Sequence, residues 1–494
     1  MKRLSRLLLA LAAVLPVARA GEAETPPRTL LVEVRDIPAE AQSGEGAFAY
    51  NDYNRQRIVR LVRNHAMVLA TPAEVATLRE QGFAPEIILE SDDELTLYRR
   101  ALYGPTLKPD PVYHTYEQIL ARAAELQAAH PELMVRTQIG ETTQFQRPIY
   151  AFRISNDATR AHDRPAVLFD GCHHADEVMG AEIVLALMER LVTGYGKDPQ
   201  VTHWLDTLEI FLVPVVNVDG HHYVTSGHDP RWRKNARDVN GDGVTGVFPE
   251  GVDVNRGYSY NWAMGGTADP NGASFRGAHP FSEAENRAMR RLADLRQFLL
   301  SISYHSQGEV IFYPWAWGAM AAPDDKVIKR IAADVASRIT RMDGEGTYAI
   351  APGGPSSQSY PWFYGRRGVI DMIIETGKGS HLFLPEDVPG IVAENLKGTV
   401  AVLDNAAGPG LSVKVTDAFT GEPLAAEVWL PRVDNETVDR RRSDAHFGRA
   451  RRLLDPGTYY LVVSRDGYET AVLPEVTIGA DGWTELVVEL HAEQ

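Results

Sequence analysis

The 494-residue chain holds a single cysteine, Cys172. No intrachain disulfide can form, which excludes a disulfide-stapled extracellular module. Long apolar runs are also scarce. The most continuous, residues 7–17, is shorter than the ~20 residues that cross a bilayer. Positive charge is in deficit, with 50 Lys and Arg against 66 Asp and Glu and a formal net charge of −16. A chain so acidic is repelled by a phosphate backbone, so nucleic acid is not an expected partner. Tandem repeats and low-complexity tracts are absent.

The chain begins with a targeting signature. Lys2, Arg3 and Arg6 precede the apolar run, and Ala18-Arg19-Ala20 fits a small-x-small cleavage site. Residues 1–20 are therefore expected to be a signal peptide. The mature protein would be exported, periplasmic or secreted from a bacterium, with no membrane span. A hydrophobic content of 44% and a charged content of 23% suit a globular protein, and the length suits two or three domains.

Three blocks follow. Residues 21–108 read as a small α/β unit. Strands are expected over 30–34, 66–70 and 83–89, and a helix over 54–63. A second helix is capped by Thr71, with Pro72 first and Glu74 completing a capping box. Pro105, Pro109 and Pro111 mark a linker. In residues 109–408, Thr115 caps a helix with Ile119, Leu120, Ala123 and Leu126 at helical spacing. Apolar runs over 166–169, 210–216, 298–303 and 369–374 read as buried strands. They alternate with helical stretches over 181–191, 283–297 and 325–339, the pattern of an α/β layer fold. Residues 409–494 carry strand patterns over 411–416, 426–430, 459–464 and 485–490 with turn signals between them, a small all-β sandwich. Arg440-Arg441-Arg442, followed by Arg449, Arg451 and Arg452, reads as a solvated loop.

Chemistry concentrates in two stretches. Cys172-His173-His174-Ala175-Asp176-Glu177 contains a His-x-x-Glu pair, and Ser303-Tyr304-His305-Ser306-Gln307 supplies a second His. Two His and one Glu leave a fourth position open, as a catalytic zinc requires. A water there falls in pKa from about 15.7 to about 7. The pair alone fits a surface helix equally well. His173, His221 and His222 are read as structural or exposed, because the set is complete without them. Cys172 is read as a buried small residue rather than a nucleophile. His174, Asn217, His305 and Glu375 each stand at or just past the C-terminal end of an expected strand, where α/β sheets form crevices. Asp238-x-Asn240-x-Asp242-Gly243 looks like the start of a calcium loop. Its twelfth position is Pro249 rather than Glu, so a polar surface loop is expected.

Residues 113–405 resemble the zinc carboxypeptidases of the carboxypeptidase A type. The resemblance rests on Tyr113 to Tyr116 with Arg147-Pro148-Ile149, Gly171 to Glu177, and Pro214 to Gly220. It continues through Arg231 to Asn235, Gly251 to Arg256, Ser303 to Gln307 with Tyr313-Pro314-Trp315, and Glu375-Thr376-Gly377. It implies a mixed eight-stranded sheet with flanking helices and one zinc per chain held by His174, Glu177 and His305. Glu375 would activate the zinc-bound water for attack on a C-terminal peptide bond. Arg233 would stabilise the oxyanion. Asn255 and Arg256 would grip the substrate carboxylate, and Tyr348 would close over it. Tyr360 would lie near the side-chain pocket floor, away from any acid, disfavouring basic side chains.

Two positions depart from the family pattern. Asp176 stands where the family often has Arg, and Ala236 interrupts before Arg237. Residues 409–494 resemble the transthyretin-like sandwich of regulatory-type carboxypeptidases, and residues 21–108 resemble a pro-segment in position. The expected partners are peptide or protein C-termini, and the expected state is a monomer. Two alternatives remain open: a zinc amidase or peptidase acting on cell-wall peptides or acylated amino acids, and a non-catalytic peptide-binding module.

Overall fold

Capping residues and apolar spacing set most of the elements seen in the computed structural model. It describes residues 28–42, 47–48, 57–62, 64–91, 94, 97, 101, 113–317, 320–354 and 356–493. The targeting segment and the three linker prolines lie outside them. The chain divides into two units, Met1–Pro109 and Asp110–Gln494. Among the described residues, no helix is long and apolar enough to cross a membrane.

In the first unit, β1 (Thr29–Val34), β2 (Ile58–Val62), β3 (His65–Ala70) and β4 (Glu86–Ser91) form one antiparallel sheet in the order β2-β3-β1-β4. Helix α1 (Pro72–Glu80) starts as expected, with Thr71 and Glu74 forming both halves of a capping box. It buries Val75 and Leu78. The helix expected over 54–63 is corrected: 54–56 and 63 lie outside the described residues, and 58–62 is a strand. Ile58, Leu61 and Val62 are β-branched or aliphatic, and they pair with β3 across a short turn.

The second unit opens with α2 (Tyr116–Ala129), again under a full capping box, here from Thr115 and Gln118. It is followed by β5 (Met134–Glu141), β6 (Pro148–Ile154), β7 (Ala166–Gly171), α3 (Met179–Gly194), α4 (Pro199–Thr207), β8 (Glu209–Val213), α5 (Val218–Thr225) and α6 (Ala284–Leu295). Next come β9 (Leu300–His305), β10 (Val310–Tyr313), the short pair β11 (Ala316–Trp317) and β12 (Met320–Ala321), then α7 (Asp325–Arg338), β13 (Ala349–Pro352), α8 (Ser359–Arg367), β14 (Ile370–Glu375) and α9 (Val388–Asn405).

One eight-stranded mixed sheet, β13-β10-β14-β9-β7-β8-β6-β5, forms the centre, as the resemblance implied. Its middle strands β14, β9, β7 and β8 run parallel and are buried on both faces. β8 stops at Val213, short of the expected 216, because Pro214 has no N–H to continue the ladder. Helix α3 lies directly against the sheet at paired glycines. A Cβ on Gly171 would sit 2.6 Å from the Gly180 carbonyl carbon.

The C-terminal sandwich packs a three-stranded sheet, β18-β15-β21, against a four-stranded one, β17-β16-β19-β20. The strands are β15 (Gly410–Asp417), β16 (Glu427–Trp429), β17 (Arg441–Arg442), β18 (Arg449–Leu453), β19 (Gly457–Ser464), β20 (Ala471–Ile478) and β21 (Trp483–Leu490). The arginine run is corrected: most of it is ion-paired rather than solvated. Arg449 and Arg451 both bond to Asp163, with contacts of 2.8 Å. Arg441 and Arg452 both bond to buried Asp324, again at 2.8 Å. These carboxylates belong to the part of the chain that carries the central sheet, so the arginines join sandwich to sheet.

Candidate metal centre

Sheet register places the metal-binding candidates. Glu375, the last residue of β14, is the register partner of His305, the last residue of β9. Tyr304 pairs with Gly171 at the end of β7. After Gly171 the chain turns sharply, with Cys172 at φ +55°, a conformation that costs a non-glycine residue energy. The turn brings His174 and Glu177 over the strand ends. It is held by Asn217, whose side-chain amide donates to the carbonyls of His173 (3.3 Å) and Lys234 (3.0 Å). The Ala175 amide donates to the Arg233 carbonyl at 2.9 Å. Asn217 therefore positions two site segments at once.

The donor atoms of His174, Glu177 and His305 all lie within 4.8 Å of one another, and all three residues are buried. His174 Nδ1 is 2.9 Å from Glu177 Oε1, His305 Nδ1 is 2.7 Å from Glu177 Oε2, and the two Nδ1 atoms are 3.2 Å apart. Ligands about 2.0–2.1 Å from a tetrahedral zinc stand about 3.3 Å from each other, so this donor set fits zinc in both chemistry and spacing. Each Nδ1 must then be a bare acceptor. His174 meets that condition if its Nε2–H donates to Asp253 Oδ1, 3.2 Å away.

Electrostatics support the same assignment. Burial lowers the His305 pKa to about 4 against the opposing pull of Glu177, so the ring is neutral near pH 7. Burial opposes the Glu177 carboxylate, but its contacts with His174 and His305 outweigh it and hold the pKa well below the ordinary range, so the carboxylate is ionised. Asp253, also buried, is held well below its ordinary value, chiefly by Arg233 and Arg256.

The structure gathers most of the other candidates. Arg233 donates from Nη1 to Glu177 Oε1 (3.0 Å) and from Nε to Asp253 Oδ2 (3.2 Å). Asn255 is buried, with its side-chain nitrogen 3.3 Å from His305 Nε2 and its oxygen accepting from the Ser359 amide. Arg256 is partly exposed and donates to the Asn255 carbonyl. Glu375 is partly buried at its strand end. Tyr348 is buried, and its hydroxyl accepts from the Gly377 amide at 2.9 Å, two residues past Glu375. Asp176 is buried between the two ligands of its own turn.

Tyr360 is buried and donates to the Gly354 carbonyl. His173 is fully buried beneath the centre, bonded to Tyr258, and His221 is buried with a pKa lowered to about 4 by that burial. Cys172 is buried too, and desolvation pushes its thiol pKa far up, which removes a nucleophilic role. The Asp238 carboxylate accepts from the Gly241 and Gly243 amides of its own exposed loop.

Sequence reasoning missed two residues here. Asp253 links His174 to Arg233, and an acid set between Val252 and Val254 was the available signal. His381 brings Nδ1 to 3.9 Å from Glu177 Oε1, and no spacing pattern marks it.

Comparison with known proteins agrees with this geometry. The zinc carboxypeptidase profile matches residues 119–396, and the carboxypeptidase regulatory-like domain profile matches residues 410–491. Carboxypeptidase A4 of Mus musculus is 30% identical over 272 residues, covering 54% of this chain and 62% of that protein. Carboxypeptidase B of Bos taurus is 26% identical over 255 residues, covering 50% of this chain and 57% of that protein. The chain thus spans less than two thirds of the curated relatives it matches. Among solved structures, thrombin activatable fibrinolysis inhibitor superposes with a TM-score of 0.58 at 18% identity, covering 77% of this chain and 99% of that one. Carboxypeptidase A from Helicoverpa armigera gives 0.58 at 18%, covering 77% and 98%. At these identities the superpositions establish the fold.

Proposed function

The chain belongs to the zinc carboxypeptidase family, and we propose that it is a zinc-dependent metallocarboxypeptidase that removes the C-terminal residue of peptides or proteins. One observation carries the reading: the convergence of buried His174, Glu177 and His305 at strand ends, with Glu375 in register beside His305.

On this reading the three ligands hold one zinc per chain. Zinc so held polarises a carbonyl and makes water a nucleophile near neutral pH. Glu375 takes a proton from the attacking water and passes it to the departing amine. Arg233 neutralises the charge that develops on the carbonyl oxygen. Asn255 and Arg256 receive the free carboxylate, for which a guanidinium fork is suited. Tyr348, whose hydroxyl here accepts from the Gly377 amide, closes over the bound substrate. Residues 1–20 support export, with the periplasm as the finer assignment. Residues 21–108 take the place of a pro-segment and 409–494 that of an accessory sandwich. Asp176, buried where the family often has Arg, favours a second reading in which the same centre cleaves a cell-wall peptide or an acylated amino acid.

The test is mass spectrometry of a peptide pool offered as free acids and as C-terminal amides, with cell-wall peptides alongside. Loss of single C-terminal residues from free acids only, stopped by a zinc chelator, is the expected result. Turnover that survives Glu375→Gln refutes the assigned base. Cleavage of the cell-wall peptides alone selects the second reading; cleavage of nothing leaves a blocking pro-segment, a non-standard substrate or a binding module, and the assay is repeated without residues 21–108.

A further inference from the structure

A cleft of about 690 Å³ opens where β16 and residues 439–451 of the sandwich face the central sheet. The sheet presents its starting edge there, through Ala166 of β7, Leu299 before β9 and Val369 before β14. These strands run parallel and end at the metal centre, so the cleft lies at the opposite edge of the sheet. Nine arginines line it, against four acids: Asp294, Glu427, Asp439 and Asp444. In a chain of net charge −16 this is a local concentration of positive charge.

Asp324, Glu209, Asp163 and Glu485, outside the lining, pair the inner Arg441, Arg296, Arg449 and Arg451; the outer four are less fully answered. Arg440 and Arg442 share the single carboxylate of Glu427, at 2.9 and 2.7 Å. Arg366 gives one hydrogen bond to Asp439, and Arg367 one to Asp294. A guanidinium carries five N–H donors, so each of these four keeps most of its capacity. Their side chains are 45%, 37%, 49% and 68% exposed for Arg366, Arg367, Arg440 and Arg442. Deeper in, Arg449 and Arg451 share Asp163, and Arg449 also bonds to Glu485 at 2.7 Å. Burial lowers the Arg451 pKa, Asp163 opposes that, and the charges of Arg449 and Arg296 add to the lowering.

Four exposed guanidiniums around one cleft suit an anion that carries more than one charge. Their planar forks match phosphate oxygens in pairs. The volume falls within the roughly 300–1,000 Å³ of small-molecule sites. We propose that this cleft binds a small, multiply charged phosphate, gripped by Arg366, Arg367, Arg440 and Arg442. A bare diphosphate and a diphosphate carried on an organic group share that chemistry. The site stands apart from the metal centre and does not depend on the reaction there.

The full-length protein is titrated calorimetrically with inorganic pyrophosphate at an ionic strength fixed by sodium chloride. ADP forms a second arm and citrate a third. The expected result is saturable pyrophosphate binding that is tighter than citrate binding. The double variant Arg440→Gln/Arg442→Gln should weaken it by about tenfold or more, the loss of at least one charged hydrogen bond. Glu427→Gln should tighten it by removing the competing carboxylate, and this variant keeps the test decisive if the double variant folds poorly. ADP binding tighter than pyrophosphate assigns an organic phosphate, and the reverse assigns a bare one. No saturable binding of pyrophosphate or ADP overturns the proposal. So does citrate matching pyrophosphate, or binding that neither variant alters.

Discussion

Asp324→Asn tests whether the arginine run holds the sandwich to the sheet. Asp324 is buried at the start of α7. Its Oδ1 accepts from Arg452 Nε (3.0 Å) and Nη2 (2.8 Å), and its Oδ2 accepts from Arg441 Nη2 (2.8 Å) and the Tyr364 hydroxyl (2.9 Å). Asp434 approaches Arg452 Nη1 at 2.7 Å, so two acids balance two arginines. The isosteric amide removes one negative charge and strands a positive one inside. Breaking a buried pair costs about 3–5 kcal/mol.

The acid's own titration gives a second estimate. Burial opposes the Asp324 carboxylate, but Arg452 and Arg441 bring its pKa to about 2 against an ordinary 3.8, which corresponds to roughly 2 kcal/mol. Asp434 remains as a partner in the variant, so a loss of about 2–3 kcal/mol is expected at pH 7. The sign of the pH effect follows. A lowered folded pKa stabilises the protein fully above 3.8, and that contribution is lost as pH falls towards about 2. Urea unfolding across that range should show a steeper acid loss in the native protein than in the variant. A loss below about 1 kcal/mol at pH 7, the range of exposed pairs, would refute the buried-joint argument.

Three further outcomes are expected. Glu375→Gln should lower kcat by about 10²–10⁴-fold while metal analysis still finds bound zinc, because on the proposed reading the residue moves protons and does not ligate. Asp253→Asn should weaken zinc affinity by about 10–100-fold in chelator competition, since it bonds to His174, a proposed zinc ligand; unchanged affinity would remove Asp253 from that role. Arg256→Ala should raise KM for free-acid peptides far more than it lowers kcat, and Arg256→Lys should restore binding only in part.

Local signals carried much of this structure. Thr71 with Glu74 closes a capping box where the spacing placed it, and Thr115 caps its helix as expected, with Gln118 completing a second box. The apolar runs became the parallel centre of the sheet, because strands buried on both faces need no alternation. What stayed hidden was decided by partners far away in sequence. Arg449 reads as solvated until Asp163, 286 residues earlier, folds against it. Strand β20 was obscured by Pro474, which a central strand would reject. It sits on the sheet edge, opposite a register break between Tyr459 and Leu461. Residues 54–63 misled because a charged, mixed pattern has no clear period, and the hairpin with β3 decided it instead.

The support beneath the metal centre follows from the same long-range logic. Fully buried His173 has Nδ1 3.1 Å from Asp170 and 3.2 Å from the Ser303 hydroxyl, and Nε2 2.8 Å from the Tyr258 hydroxyl. Ser303 in turn donates to Asp170 at 2.7 Å. Apolar packing of similar volume would stabilise the core at least as well, since burying polar groups costs energy unless each is bonded. What the network adds is direction. It fixes the ring one residue before His174 and ties β7 to β9, whose ends carry the donors. The strained turn at Cys172 is held from below by that network and from the side by Asn217. The ligand geometry is thereby set before any metal arrives, as a site needs when small displacements of its groups are costly.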